Sequence, residues 1–340
     1  MQKDSVIYEN SLMIIIVNQG MGGKVLEFVM EQGIHGATAF HAWGALPNHL
    51  LKLLELEDIR KEAIMIALPA CHEKELFEKL TARFHFDHPG KGMIITFDLA
   101  GVYGSHLYQE YSPSGDPRKM SALQGVMTIV DKSQAEELLD HIEEYGFMRG
   151  IVIDAHSSAD KSDKFCDLML ESEKEIIFIF TTRDKTPRLA RLLTEYFDRK
   201  ISNGGILAIF NLQRTVGITL TLKTGRDESE PDMIKRKTSH SVIFAIVRNH
   251  MDEAVIRSAE TAGSTGGTII HARGSCRHQM KNFFFRGVEP EREIVMIIAK
   301  DENTKGICDR INTDLKLEQP GNGLLLVVPL YTAQLGLNKD

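Results

Sequence analysis

The chain has 340 residues, 43% of them hydrophobic and 26% charged, which excludes a disordered, collagenous or wholly coiled-coil protein. At roughly 100–200 residues per domain, that length fits two or three folded domains. Lys and Arg number 40 against 47 Asp and Glu, a formal net charge of −7, so the basic surplus of a general nucleic-acid binder is missing.

In chain order, the first apolar run, Leu12–Val17, follows Asp4 and Glu9 and is too short for a secretory core or a membrane span. Its Met13–Val17 stretch predicts a strand buried on both faces. A helix ending at Gly33 follows, then a strand from Gly36, a long connection, a strand after Glu62, a second helix and a last strand after Gly90-Lys91-Gly92. The same order returns from Val126 and again from Val242. In the second copy Ser133 with Glu136 predicts a capping box, and Thr186-Pro187 predicts a cap with proline at the first helical position. In the third, Asn249 is the expected cap. Gly33, Gly146 and Gly263 each stand where a helix needs a left-handed residue past its end.

These copies share a register. Gly33–Gly44 aligns with Gly146–Ser157 and Gly263–Gly274 at offsets of 113 and 117 residues. Val17, Val130 and Val247 keep the same offsets, while Glu62, Glu175 and Glu293, and Gly92, Gly205 and Gly323, are offset by 113 and 118. Four matches in one frame read as a triplicated unit. The expected units are 11–104, 125–219 and 240–338, with linkers 105–124 and 220–239 rich in chain breakers. A linker of that size reaches up to roughly 60 Å, enough to pack the units in a ring. The fold class is α+β, with three tandem βαββαβ units of the split ferredoxin-like order.

Three stretches carry a resemblance: Gly266-Gly-Thr-Ile-Ile-His-Ala-Arg-Gly274, Phe283-Phe-Phe-Arg-Gly-Val-Glu-Pro-Glu-Arg-Glu-Ile-Val295 and Gly321-Asn-Gly-Leu-Leu-Leu-Val-Val-Pro329. They resemble the nitrogen-regulatory PII family, and its short PII-like members most. The third copy matches best, the first recognisably, the second mainly by register. PII proteins are homotrimers of this unit, so the resemblance implies a monomer that is a covalent pseudo-trimer. It also implies small effectors, usually adenine nucleotides, in the clefts between units. Long T-loops, here Ala45–Lys61, Ser158–Lys174 and Ser275–Arg292, would contact regulated protein partners. The three loops differ: apolar in the first (Leu50–Leu56, an invitation to a further dimer), charged in the second, basic-aromatic in the third.

The resemblance also supplies the candidate ligand residues. A Gly-x-Gly turn before the last strand offers backbone N–H groups to phosphate. It is Gly90-Lys91-Gly92 and Gly321-Asn322-Gly323, with Gly204 and Gly205 in the second copy; a plain tight turn serves the same sequence. A Gly-x-Thr opens the second strand as Gly36-Ala-Thr38 and Gly266-Gly-Thr268, followed by Arg273 and Gly274; Arg149-Gly-Ile151 departs from it. The family's lysine after the turn is Met93, Ile206 or Leu324, its C-terminal arginines are missing, and His278 stands at its magnesium-associated glutamine. With Lys91, Arg214 and Arg273 as the nearby cations, three phosphates are poorly neutralised. AMP, a cyclic nucleotide or another small anion is the expected effector rather than ATP with 2-oxoglutarate.

Alternation along the second strand places Phe40, Ile153 and Ile270 on one face, expected to lie under the helices, and His41, Asp154 and His271 on the other. Around a common axis these last three form either a divalent-metal ring, as in divalent-cation tolerance proteins of related fold, or a polar ring that sets register. A scaffold without ligand is the remaining alternative. Neither G-x-S-x-G, H-E-x-x-H nor Walker A occurs, so no enzymatic activity is expected. Cys71, Cys166, Cys276 and Cys308 form no C-x-x-C pair, and a cytoplasmic location is expected.

Overall fold

The structure, a computed structural model, describes residues 6–7, 9–34, 36–44, 59–104, 107, 115–116, 121–157, 173–200, 205–218, 240–274, 291–319 and 321–334. The first segment runs β1 (Val6–Ile7), β2 (Asn10–Asn18), α1 (Gly22–Glu31), β3 (Ala37–Gly44), β4 (Ile59–Pro69), α2 (Ala70–Phe84), β5 (Met93–Leu99) and β6 (Gly101–Tyr103). After β7 (Gly115–Asp116), the second has β8 (Leu123–Asp131), α3 (Ala135–Glu144), β9 (Ile151–Ser157), β10 (Glu173–Thr182), α4 (Thr186–Lys200), β11 (Ile206–Asn211) and β12 (Thr215–Val216). The third has β13 (His240–Arg248), α5 (Asp252–Thr261), β14 (Thr268–Gly274), β15 (Glu291–Lys300), α6 (Asp301–Leu315), β16 (Gly323–Pro329) and β17 (Thr332–Gln334).

This is an α+β fold, with six helices and a curled, antiparallel fifteen-stranded sheet among the described residues. β1 and β7 form a separate parallel pair. Within the large sheet three groups share one internal order: β5-β2-β4-β3, β11-β8-β10-β9 and β16-β13-β15-β14. The groups join at both edges. At the inner edge β3, β9 and β14 pair with one another, Arg273 opposite Ala39, Trp43 opposite Val152 and Ile269 opposite His156. At the outer edge each segment hands a short strand to a neighbour: β6 pairs with β16, β12 with β5 and β17 with β11. Edges that would otherwise template unwanted pairing are thereby covered.

The strands β2, β8 and β13 are continuous apolar runs because both of their faces are buried. Met13, Ile15 and Val17 lie under α1 and α2, while Leu12, Ile14 and Ile16 enter a core shared by all three segments. Alternation splits β13 likewise, Ile243, Ala245 and Val247 toward its helices and Val242, Phe244 and Ile246 toward the shared core. Phe40, Ile153 and Ile270 belong to that shared core, which corrects their expected place under the helices. Period-2 alternation tells which residues share a face, not which layer covers it.

Helix ends follow the expectation at one terminus only. Gly33, Gly146 and Gly263 take φ of 81°, 83° and 94° and close Schellman motifs, with Ile34, Phe147 and Ser264 N–H donating to the Val29, Ile142 and Ala259 carbonyls. The N-termini differ from expectation. Ser133 is left-handed (φ 74°) two residues before α3 and cannot form a capping box, and the Asn249 side chain donates to Glu291 instead of capping α5. Thr186 lies inside α4, its hydroxyl donating to the Thr182 carbonyl.

The expected linker 105–124 also carries structure. Leu107 accepts from the Asn10 side chain, Gly115–Asp116 pair with Val6–Ile7, and Leu123 opens β8. The expected T-loops end earlier than assigned, since β4, β10 and β15 begin at Ile59, Glu173 and Glu291. Leu50–Leu56, Cys166, Cys276, His278 and Gly204 lie outside the described residues. No helix among the described residues is long and apolar enough to cross a membrane.

Candidate functional site

Three dipeptides at the starts of β4, β10 and β15, Lys61-Glu62, Lys174-Glu175 and Arg292-Glu293, organise the surfaces between segments. Each glutamate caps the first helix of its own segment from about 40 residues away. Glu62 accepts from Gly22 N–H at 2.6 Å, Glu175 from Ala135 N–H at 3.0 Å, and Glu293 from Met251 and Asp252 N–H at 3.2 Å. A carboxylate there satisfies orphan donors and complements the helix dipole. Burial pushes the Glu175 and Glu293 carboxyls above their usual range despite those bonds. One or two of the N-terminal N–H groups of each helix are thereby occupied by the chain's own carboxylate.

The cation of each dipeptide meets a different partner. Lys61 donates to Asn18, and Lys174 is ion-paired with Asp131. Arg292 stands directly across the strands from Arg248. Arg292 Nη1 donates to the Gly321 carbonyl at 3.4 Å, and Arg248 Nη2 to Asn322 Oδ1 at 2.7 Å. Two arginines therefore converge on the Gly321-Asn322-Gly323 turn, where the second segment balances its cation with a carboxylate and the first pairs it with an amide. Sequence reasoning missed Arg248 and Arg292. The signal was present as the recurring basic residue before each registered glutamate.

The inner-edge pairing sets out three corners. At the first, Gly274 lies opposite Thr38 and Arg273 opposite Ala39, and Gly274 packs against the Arg292 side chain that reaches the Gly321–Gly323 turn. Gly36 has φ 99° and open space around it. At the second corner Gly44 lies opposite Ile151, and Gly90 is tied in through Asn18, which donates to its carbonyl and accepts from Lys61. There Arg149 holds the position of Gly36 and is consumed by ion pairs to Asp140 and Glu143 of α3, its side chain 5% exposed. At the third, Thr268 lies opposite Ser157, with Gly266 at φ 131°.

Several of the candidate glycines have packing reasons. A Cβ at Gly92 would lie 2.4 Å from the Ile16 carbonyl oxygen, one at Gly323 2.9 Å from the Ile246 carbonyl oxygen, and one at Gly205 2.6 Å from the Phe197 ring. Gly90, Lys91 and Gly321 are exposed. Arg214, expected as a phosphate-side cation, instead spans to the first segment. It pairs with the nearly buried Glu73 at 3.2 Å and lies over the Phe77 ring.

Over the outer face of β3 and β14 opens a cleft of about 740 Å³. It is lined by His41, His156, His271, Arg273 and Arg292 and by the carboxylates Glu62, Asp252, Glu253, Glu291 and Glu293, among others. His156 and His271 stack edge to face with ring centroids 5.1 Å apart, and His156 Nδ1 is buried without a hydrogen-bond partner among the described residues. His41, Asp154 and His271 are exposed. Asp154 does not line this cleft, and the ligand atoms of these three do not gather within 4.8 Å of one another. Their shared face turns outward, away from the common core, and each residue stands midway between the two inner-edge pairings of its own strand.

No protein-family model matches the chain, and no curated protein matches it significantly. Among solved structures, the chain is similar to the crystal structure of aspartate kinase from Synechocystis, at 7% identity and a TM-score of 0.22. That alignment covers 92% of this chain and 55% of the kinase, so the chain spans about half the length of that enzyme. Likeness at this level carries no argument about fold or activity.

Proposed function

We propose that the chain is a cytoplasmic, single-chain PII-like signalling protein without enzymatic activity. Three ferredoxin-like units would pack as an intramolecular pseudo-trimer, bind a small anionic effector between units and relay its occupancy through the three long loops to protein partners. Two structural features support the architecture: the internal strand order common to the three groups, and the closed exchange of strands at both edges.

The observation that carries the binding step is the Arg248–Arg292 pair at the Gly321–Gly323 turn, with Arg292 against Gly274, which lies opposite Thr38 of the first segment. Two guanidiniums and glycine-rich backbone suit one phosphate or a phosphodiester. The carboxylates of the neighbouring cleft oppose a triphosphate. AMP or a cyclic nucleotide is therefore favoured over ATP, at one site per chain, because the Asp131–Lys174 pair and Arg149 have removed the matching features from the second segment. Ligand at this corner sits at the base of the 275–290 loop and would bias its conformers.

Calorimetric titration with AMP, ADP, ATP and cyclic di-AMP, with and without magnesium, tests the proposal. Saturable binding of one nucleotide near one per chain is expected, weakened at least tenfold in R248A/R292A and unchanged in K174A. Silence across the panel, or equal loss in K174A, overturns it.

A further inference from the structure

A second chemistry-bearing cluster lies at the C-terminus of α2, apart from the arginine corner. Donor atoms of His85, Asp87 and His88 all lie within 4.8 Å of one another, and all three side chains are exposed. The two imidazoles stand edge to face with centroids 5.6 Å apart, and His88 Nδ1 is 3.1 Å from Asp87 Oδ1. A tetrahedral ion with ligands about 2.1 Å away holds donors about 3.4 Å apart, so modest side-chain rotation brings the three to one centre.

The turn that presents them is fixed. Phe86, between the ligands, is fully buried beside Phe84 and beneath Gly92, and its N–H donates to the Thr81 carbonyl at 3.2 Å. His85 is left-handed at φ 57°, and His88 N–H closes the turn on the His85 carbonyl at 2.9 Å.

The molecule contains its own control. In the third segment the same turn has Lys316 at φ 50°, Leu317 N–H donating to Asn312 at 3.1 Å and Gln319 N–H to Lys316 at 3.0 Å. The backbone is reproduced with Lys316, Glu318 and Gln319 where the first segment has His85, Asp87 and His88. Folding of the turn thus does not require two imidazoles and a carboxylate, and neither does packing, since these side chains point to solvent.

We infer that His85, Asp87 and His88 form a binding site for a borderline divalent cation of the Zn²⁺ class. Two nitrogens and one carboxylate oxygen select such ions over Mg²⁺ and Ca²⁺, which prefer all-oxygen shells. Three protein ligands leave a coordination position for water or another ligand. That position lies two residues from the Gly90-Lys91-Gly92 turn, so occupancy would stiffen the turn at the second corner.

The test is calorimetric titration of the metal-free full-length protein with Zn²⁺ alone, with Mg²⁺ as the counter-probe and the visible spectrum of the Co²⁺-loaded protein as an independent readout. The comparison variant is the exchange H85K/D87E/H88Q, which installs the third segment's own residues and keeps the turn. One Zn²⁺ per chain is expected at this site, weakened at least tenfold in the exchange variant with loss of its Co²⁺ bands, and retained in H156Q/H271Q. Equal zinc binding by the exchange variant, loss only in H156Q/H271Q, or no saturable binding in the parent protein overturns the assignment.

Discussion

Single residues do two jobs at the starts of β4, β10 and β15, and Glu175 shows the cost. It caps α3 through Ala135 N–H, yet burial raises its carboxyl above the ordinary value of 4.5. A raised folded-state value favours the folded state fully below about pH 4.5, and that contribution is lost as pH rises through the shifted value. Glu175→Gln keeps an acceptor for Ala135 N–H and removes the ionisation. The variant should lie within about 1 kcal/mol of the parent at pH 7 and lose part of the decline in stability above pH 4.5; urea midpoints measured from pH 4.5 to 7.5 would show it. An unchanged pH slope would mean the carboxylate is not penalised. Glu175→Ala, which leaves the donors uncapped, should cost about 1–2 kcal/mol. His240 has the opposite sign. Burial lowers its imidazole below 6.5, so stability is lost as pH falls below that value, and His240→Gln should flatten this limb in the same titration. The registered glutamates were visible in the sequence as landmarks, but their role was not. A cap supplied from 40 residues away lies beyond any local capping pattern, which is why Ser133 and Asn249 looked like the caps.

At the level of elements, the order of strands and helices and the left-handed helix ends were legible, because apolar runs and glycine act locally. Which face of β3, β9 and β14 the helices cover was not, since it depends on what packs there. The Gly-x-Gly turns were ambiguous for the same reason. Gly92 has φ 119° and its absent Cβ makes room for the Ile16 carbonyl and the Phe86 ring, whereas Gly90 at φ 77° has open space. Packing therefore accounts for Gly92 by itself, and the two glycines should separate on mutation. Gly90→Ala pays only for a left-handed alanine, about 1–2 kcal/mol. Gly92→Ala adds overpacking against β2, for about 2–4 kcal/mol in all. Equal urea-midpoint shifts for the two would show that β2 yields to the extra methyl and that close packing is not what holds glycine there.

Across the whole molecule, the repeat register indicated three segments but could not show how they close on one another. The strands that close them, β6, β12 and β17, are two or three residues long and pair with partners far along the chain, so they carry almost no periodic signal. Their anchors are clear once placed. Tyr103 of the first segment is buried in the third segment's helix-side core, Val216 of the second packs on the first's, and Tyr331 of the third packs on the second's. Arg214 adds its pair with Glu73 to the second of these contacts. Each segment is held by strand pairing and an apolar anchor on both sides, together with the common core of Leu12, Ile14, Phe244 and their neighbours. Covalent continuity through 219–239 should then matter for assembly but little for cohesion once folded. With a protease site inserted in that stretch, the cut protein should elute at the mass of the intact chain and keep its urea midpoint within about 1 M. Adding Tyr103→Ala removes one anchor, at about 3–5 kcal/mol for a buried aromatic, and the third segment should then come away from the cut protein at lower urea than from the uncut. If the cut protein with Tyr103 intact falls into two fragments in buffer, the linker rather than the closed circuit of strands holds the molecule together.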